Sequence, residues 1–407
     1  MDEILGAGGI PAHSARENRA VLVIAFAQLL GTSLWFSANA AMHDLQRDWH
    51  LSAGDIGWLT NAVQAGFIVG TLVSTFTGVA DKLPASRVFA VCGCVGAALN
   101  ALFALCSSGL ASAVAFRFGV GVSLAGIYPL GMKLLVTWAP ARAAQTLSLL
   151  VAMLTLGTAS VHAIRAVFNG LAWQSVVLTS SLLAIAGAAM VYWLGEGPHL
   201  RRGAAAVNLG GIARVFRIGE FRASALGYFG HMWELYAFWT LTPFFVHHAL
   251  SHGGRTPDAS TVAFGSFAVI AVGALGCMAG GRLSRRVGSA RTAFVALAVS
   301  GTLCALYPFA SSLGTAAQLA LLLVWGVSVI ADSPQFSALS VRACPPQQIG
   351  GALTLQNSVG FLLSACAIFW STSAYPHLNV WVALLLLPGP VLGLIAMSPL
   401  LAKRPWW

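Results

Sequence analysis

His231 and Glu234 stand three residues apart inside a run, 222–248, that is otherwise rich in apolar and aromatic residues. On a helix that spacing puts both side chains on neighbouring positions of one face, with Tyr228, Phe238 and Thr242 close by. A carboxylate among apolar neighbours resists ionisation and an imidazole changes charge near neutral pH, so the pair has the chemistry to load and release a proton. Protonated His231 would stabilise ionised Glu234, and the two would titrate as a coupled pair. A third acid, Asp332, stands in a stripe of Gln318, Trp325, Asp332 and Gln335, spaced by seven, seven and three. The expected proton-carrying set is therefore Glu234, His231 and Asp332.

The same rhythm recurs along the chain. Gln28, Thr32, Trp35 and Asn39 follow spacings of four, three and four, and Asn61, Gln64, Thr71 and Thr75 follow a similar one. Thr155, Thr158, His162 and Arg165 are spaced by three, four and three, and Arg117 and Tyr128 lie eleven apart, three turns along one face. Each stripe has an ordinary explanation beside a functional one. Buried amides such as Gln28, Asn61, Gln64 and Gln335 serve as hydrogen-bonding glue between helices, aromatic stripes pack, and the stems of Arg165 and Lys133 can snorkel to a polar boundary. Glu234 is the hardest to explain that way, because a charged group at the middle of a membrane helix costs about 2.5–3.5 kcal/mol. Arg117, His162 and Arg165 fall in the first half of the chain, whereas His231, Glu234 and Asp332 fall in the second. A small anionic or zwitterionic organic metabolite held between the halves would meet charge of both signs. Its expected contacts are Arg117, Tyr128, Trp35, Asn39, His162, Arg165, Tyr228, Trp325 and Gln335.

Other chemistries lack their residues. There is no His-Glu-x-x-His and no Gly-x-Ser-x-Gly, so an enzyme is not expected, nor a cofactor. His43, His50, His247, His248 and His252 fall in loop regions, but no Met-x-x-x-Met or His-x-x-x-Met stands behind them, so a metal site or metal uptake is not expected. A membrane sensor is not expected either, since the sequence shows no appended soluble domain to transmit a signal.

The stripes need helices that cross a bilayer to position them. Of 407 residues, 57% are hydrophobic and 8% are charged, against roughly 25% charged in soluble domains. A crossing takes about 20 apolar residues. The runs 20–41, 56–79, 88–106, 110–138, 144–167, 173–194, 222–248, 259–281, 291–310, 314–340, 348–370 and 378–401 all qualify, predicting an all-α membrane protein of twelve transmembrane helices. The 13 Trp suit the headgroup boundary and the 43 Gly suit close helix packing. With the amino terminus inside, only Arg47 and Arg255 of the 22 Lys and Arg fall outside, and Arg117, Lys133 and Arg165 lie within helices. Both termini are thus expected to be cytoplasmic, in a multi-pass protein of a bacterial inner membrane. The net charge of +10 reports that orientation, and no nucleic-acid partner is implied. Seven scattered cysteines read as small packing residues.

The expected organisation is a tail, 1–19, a six-helix bundle, 20–194, a cytoplasmic linker, 195–221, a second six-helix bundle, 222–401, and a tail, 402–407. In the linker Ile212, Val215, Phe216 and Gly219 alternate with Arg214 and Arg217, the pattern of a short amphipathic surface helix. The bundles are copies. GVSLAGIYP, from Gly121 to Pro129, matches GVSVIADSP, from Gly326 to Pro334, at an offset of 205 residues, and a second proline follows each, Pro140 and Pro345. Two parallel copies of six spans are the sequence form of an alternating-access carrier with its site at the midplane.

The loops after the second and eighth runs read TGVADKLPASR, Thr77 to Arg87, and GRLSRRVGSAR, Gly281 to Arg291. Both resemble the loop signature of the major facilitator superfamily, Gly-x-x-x-Asp-Arg/Lys-x-Gly-x-x-Arg/Lys. The first keeps Asp81, Lys82 and Arg87 but has Thr77 and Pro84 at the glycine positions; the second keeps Gly281, Arg286, Gly288 and Arg291 but has Arg285 for the acid. Arg117-Phe-Gly-Val-Gly121 is similar to the family's Arg-x-x-x-Gly element. The resemblance runs over about 20–401. It implies two pseudo-symmetric bundles in a monomer, with spans one, four, seven and ten around the site. It also implies a latch at the cytoplasmic loops, made by Asp81, Lys82, Arg87, Arg285, Arg286 and Arg291. The activity it implies is secondary active transport, read with the titratable set as proton symport, the alternative being an exporter of amphipathic compounds. The fifth run lacks the Gly-Pro pair of the family's drug/proton antiporters, and the second and eighth lack the arginines of its nitrate porters.

Overall fold

The computed structural model describes the chain apart from residues 1–14, 169, 200–213, 255, 346–347 and 403–407, and apart from the side chains at 80, 81, 144 and 311. Residues 200–213 of the expected linker and the outermost tail residues lie outside the described residues, as do Arg255 and the Asp81 side chain; of the expected linker helix, 214–215 are helical and 216–218 turn into the next helix, with Val215 buried and Arg214 and Arg217 exposed. The regular structure described is helical throughout.

The first apolar run does not form one rod. Helix α1 (Ala15–Thr32) stops at Thr32, turns occupy 33–36, and α2 (Ser37–Ala40) and α3 (Met42–Trp49) follow as short pieces. In α3, Met42 and Leu45 are buried while Arg47 is exposed, so this helix lies as an amphipathic lid edge on the end of the bundle. Helix α4 (Ala53–Thr77) starts at a capping box, in which Ser52 accepts from the Asp55 amide and Asp55 accepts from the Ser52 amide. The chain continues through α5 (Val79–Lys82), α6 (Ala85–Cys106), α7 (Leu110–Leu124), α8 (Tyr128–Trp138), α9 (Ala143–Val167) and α10 (Gln174–Leu194). The second half comprises α11 (Gly219–Leu250), α12 (Ala259–Ala271), α13 (Gly273–Val287), α14 (Ser289–Leu306), α15 (Thr315–Ala331), α16 (Ser333–Ala343), α17 (Ile349–Leu378) and α18 (Pro388–Met397).

Among the described residues, nine helical stretches are long and apolar enough to cross a membrane. One of them, Ile349–Leu400, has 52 residues, more than twice the length of one crossing. Helices α1 and α11 fall outside this set: α1 ends early, and α11 carries Glu220, Arg222, His231 and Glu234.

Packing explains the repeated letters. A Cβ at Gly121 would overlap the Val63 carbonyl, so α7 lies backbone to backbone on α4; a Cβ at Gly326 would overlap the Val269 carbonyl, so α15 lies the same way on α12. The repeated prolines sit at the second residue of α8 and of α16, where the missing N–H leaves no helical bond unmade. Each therefore restarts a helix just beyond a break, at 125–127 in the first half and at Asp332 in the second.

The two halves meet along α4 with α17 and along α9 with α12 and α13. Asn61 Nδ2 donates to the Ala365 carbonyl at 3.0 Å, Thr75 and Thr354 hydroxyls lie 3.1 Å apart, and Ser260 Oγ donates to the Ala166 carbonyl at 2.9 Å. Away from the end at which α1 starts, the interface is sealed. Residues 30–42 and 234–246 are buried without interruption. At the near end Tyr128, Pro129, Met132 and Lys133 are only half-buried, and Ser337 of α16 is exposed.

The two signature loops reach their turns by different glycines. In the first, Gly78 takes the left-handed conformation (φ 67°) directly after α4; in the second, α13 runs on and Gly288 (φ 89°) takes it before α14. Pro84 thus replaces a glycine that the first loop does not require.

Candidate functional site

The first half encloses a polar clasp around the break in the first run. Arg117, fully buried on α7, donates through Nη1 to the Leu34 carbonyl (3.0 Å), Ser37 Oγ (3.0 Å) and Asn100 Oδ1 (2.8 Å), and through Nη2 to the Trp35 carbonyl. Leu34 and Trp35 lie just past the carboxyl end of α1, where carbonyls left without helical partners carry partial negative charge. A guanidinium at that point satisfies them and is itself stabilised. Asn100 on α6 completes the clasp, accepting from Ser37 and donating to Val177 O, Ser180 Oγ and Ser181 Oγ of α10. Both Nη atoms of Arg117, expected among the substrate contacts, here hold the chain.

Arg165 is committed as well. Its Nη2 lies 2.7 Å from Asp44 Oδ2, and its Nη1 donates to the Leu171 carbonyl at 3.2 Å. Asp44 also meets exposed Arg47 at 3.1 Å. The arginine, expected among the substrate contacts, ties α9 to α3 at the sealed end. Beside it, the rings of His43 and His247 lie 5.9 Å apart across the two halves, and His162 is buried with no hydrogen bond to Nε2.

Along this sealed stretch the halves meet through aromatic rings. The Trp35 ring lies 5.0 Å from Phe67, 5.6 Å from Tyr236 and 5.7 Å from Phe361, Phe67 lies 4.5 Å from Phe361, and Phe36 lies 6.0 Å from Trp239. The indole Nε1 atoms of Trp35 and Trp239 and both amide ends of Gln28 and Gln64 are buried without hydrogen-bond partners. Asn39 is buried too and donates to Thr60 Oγ1 at 2.9 Å. Tyr128 opens α8 at the break, half-buried.

The second half holds the acids, and it pairs them differently from the expectation. His231 Nδ1 lies 2.8 Å from Asp332 Oδ1, a short contact that is poorly aligned as a hydrogen bond. Glu234 faces away from His231. Its Oε2 accepts from Ser300 Oγ at 2.8 Å, and its Oε1 accepts from Trp325 Nε1 at 2.6 Å and from the Cys304 thiol at 3.3 Å. The reason is helical: three residues turn a side chain by most of a turn but leave an offset, which sends His231 toward the α15–α16 break and Glu234 toward α14. Trp325 is therefore an acid's hydrogen-bond donor, with its ring 4.5 Å from Phe238. Tyr228 and Phe336 each lie 6.0 Å from the His231 ring, and Gln335 is buried in the first turn of α16.

Lys82 donates to the Thr77 carbonyl at 2.8 Å and so caps the end of α4. Lys82, Arg87, Arg285, Arg286 and Arg291 are all exposed at the near end, and the Asp81 side chain lies outside the described residues. Among the described residues no cluster of three or more His, Cys, Asp or Glu side chains is arranged to hold a metal ion.

The family model of the Major Facilitator Superfamily matches residues 24–368. The chain belongs to the Major Facilitator Superfamily. Solved structures agree in fold. One, described as a bacterial homologue of the human lysosomal transporter Spinster, inward-facing and unoccupied, is 14% identical over 95% of this chain and 95% of that one, with a TM-score of 0.67. The human organic anion transporter MFSD10 (TETRAN) is 16% identical over 94% of this chain and 99% of that one, also with a TM-score of 0.67. At such identities the likeness is one of fold alone. A search of curated proteins finds no match. Within this superfamily fold, Asn100, Asp44, Ser300 and Cys304 are the site-forming residues that sequence reasoning missed. Asp44 carried one signal, an acid within the amphipathic piece 42–49; the other three are small side chains indistinguishable from packing.

Proposed function

We propose that this superfamily member is a proton-coupled secondary active transporter working by alternating access on a small amphipathic organic solute. Twelve spans with both termini cytoplasmic, in an inner membrane, fit this reading. The observation that carries the substrate class is the commitment of both arginines. With Arg117 on the Leu34 and Trp35 carbonyls and Arg165 on Asp44, the interface between the halves offers aromatic faces and unpaired amide and indole groups instead of free positive charge. Such a lining suits an apolar or aromatic body with a few hydrogen-bonding groups. A carboxylate metabolite would have to displace one of these ion contacts.

Two proton sites support coupling. Asp332 with His231 lies at the break of α15 and α16, where a local rearrangement would change its access to water, and Glu234 lies deeper in the second bundle. The test is flux in proteoliposomes, with amphipathic amines, amides and phenols set against small carboxylates under an imposed pH gradient. Uphill movement of an amphipathic compound, abolished in Glu234→Gln while exchange persists, is the expected result. Accumulation of carboxylates alone, lost in Arg165→Gln, would restore the anionic reading.

A further inference from the structure

Ser300 Oγ has two neighbours within reach: Glu234 Oε2 at 2.8 Å and the Leu297 carbonyl at 3.2 Å, one turn back on its own helix. The other two donors to Glu234 cannot reverse direction. An indole N–H only donates, and a thiol is a poor acceptor. The geometry points to Ser300 as a hydroxyl rotor that lets Glu234 gain and lose a proton without leaving a buried group unpaired. This inference rests on the reading of Glu234 as a proton carrier.

With Glu234 ionised, the Ser300 O–H points at Oε2, and Trp325 and Cys304 hold Oε1, so every oxygen is met by a donor. When a proton arrives on Oε2, the Ser300 hydroxyl turns to the Leu297 carbonyl. Its oxygen then accepts the new carboxyl O–H, while Oε1 keeps its indole and thiol donors. One proton is taken up, none is exchanged between side chains, and no heavy atom moves. Without the rotor the protonated form would place an O–H opposite an O–H, and one would lose its partner inside an apolar bundle.

The surroundings leave the task to this hydroxyl. No arginine or lysine pairs with Glu234 among the described residues. The titratable groups on the elements around it are Arg291 and Cys304 on α14 with Tyr307 just beyond, Asp332 at the α15–α16 break, Cys277, Arg282, Arg285 and Arg286 on α13, Cys366, Tyr375 and His377 on α17, Arg342 at the end of α16, and Glu220, Arg222, Tyr228, His231, Tyr236, His247 and His248 on α11 itself. Helices α12 and α18 carry none. Ser300 is thus a positioning residue for the carrier, acting through Glu234.

The test needs no substrate. Infrared spectra of the purified protein in liposomes are recorded across pH, and the carboxyl C=O band of Glu234 is assigned by its loss in Glu234→Gln. Ser300→Ala removes a bond to the charged form that is stronger than the one it removes from the neutral form, so the band's midpoint should move to higher pH by roughly one unit. Its wavenumber should rise, because the carboxyl O–H has lost its acceptor. Ser300→Thr keeps a rotatable hydroxyl and should return both midpoint and wavenumber towards wild type, which also guards against a misfolded Ala variant. A titrating Glu234 band whose midpoint and wavenumber are the same in wild type and Ser300→Ala would overturn the rotor and leave the carrier reading intact. A wild-type protein in which no Glu234 band titrates would overturn both.

Discussion

At the scale of single residues, the charges in this protein are decided by who faces them. Asp332 and His231 form a buried contact at 2.8 Å. Removing one partner of a buried polar contact leaves the other unsatisfied, at a cost of about 1–3 kcal/mol. Asp332→Asn and His231→Ala should each lower thermal stability markedly in detergent, and the double variant should lose less than the sum of the two. Additive losses would show that the pair does not act as a unit. Arg117 offers a second test. Lys in its place brings one ammonium where two Nη atoms now reach Leu34 O, Trp35 O, Ser37 and Asn100, so acceptors are orphaned at about 1–3 kcal/mol each. Arg117→Lys is expected to unfold at lower temperature than wild type, with or without any solute present; an unchanged melting temperature would return Arg117 to the list of ligand contacts.

At the scale of elements, helix contacts and caps set the frame. Gly121 and Gly326 occupy equivalent places in the two halves, each against a carbonyl of the neighbouring helix. Valine at either position must push α4 from α7, or α12 from α15, and should strongly reduce the yield of folded protein on size-exclusion chromatography, with similar severity for the two sites. A cap at the start of α12 adds a pH-dependent contribution. The Thr261 amide and hydroxyl donate to Asp258 and hold its carboxyl below the ordinary carboxylate range. Because the folded protein favours the charged form, this stabilisation is present above the unfolded value near 3.8 and is lost as pH falls through the lower folded value. The melting-temperature gap between wild type and Asp258→Ala should therefore be open at pH 7 and narrow towards pH 3.

At the scale of the whole molecule, the two ends differ. The far end is closed by 30–42 against 234–246, and α3 is held there through Asp44 and Arg165. In a cysteine-free background, Thr240→Cys on α11 should react slowly with a water-soluble thiol reagent, whereas Ser337→Cys on α16 should react readily. Adding Asp44→Ala releases Arg165 and should raise the reactivity at position 240 several-fold while leaving position 337 unchanged or lower, as expected when closure at one end excludes closure at the other. Equal reactivity at 240 with and without Asp44 would mean that the ion pair does not hold the far end shut.

The amino-acid sequence alone determined the class of this molecule, since long apolar runs leave the bilayer as the only solvent and local periodicity is enough to place a helix. It also determined the twofold repeat, because Gly121 and Gly326, and Pro129 and Pro334, answer local backbone demands that letters record directly. It marked Glu234, His231 and Asp332 as residues needing a reason. Only the tertiary structure decided how they pair. Spacing along one helix says which residues share a face, yet the partner comes from another helix: Ser300 and Cys304 from α14 for Glu234, and the α15–α16 break for His231. The arginines show the same limit. Their charge was legible, but whether it meets a ligand, a carboxylate or the open end of α1 depends on packing between segments up to 121 residues apart, as for Asp44 and Arg165, which no periodicity encodes.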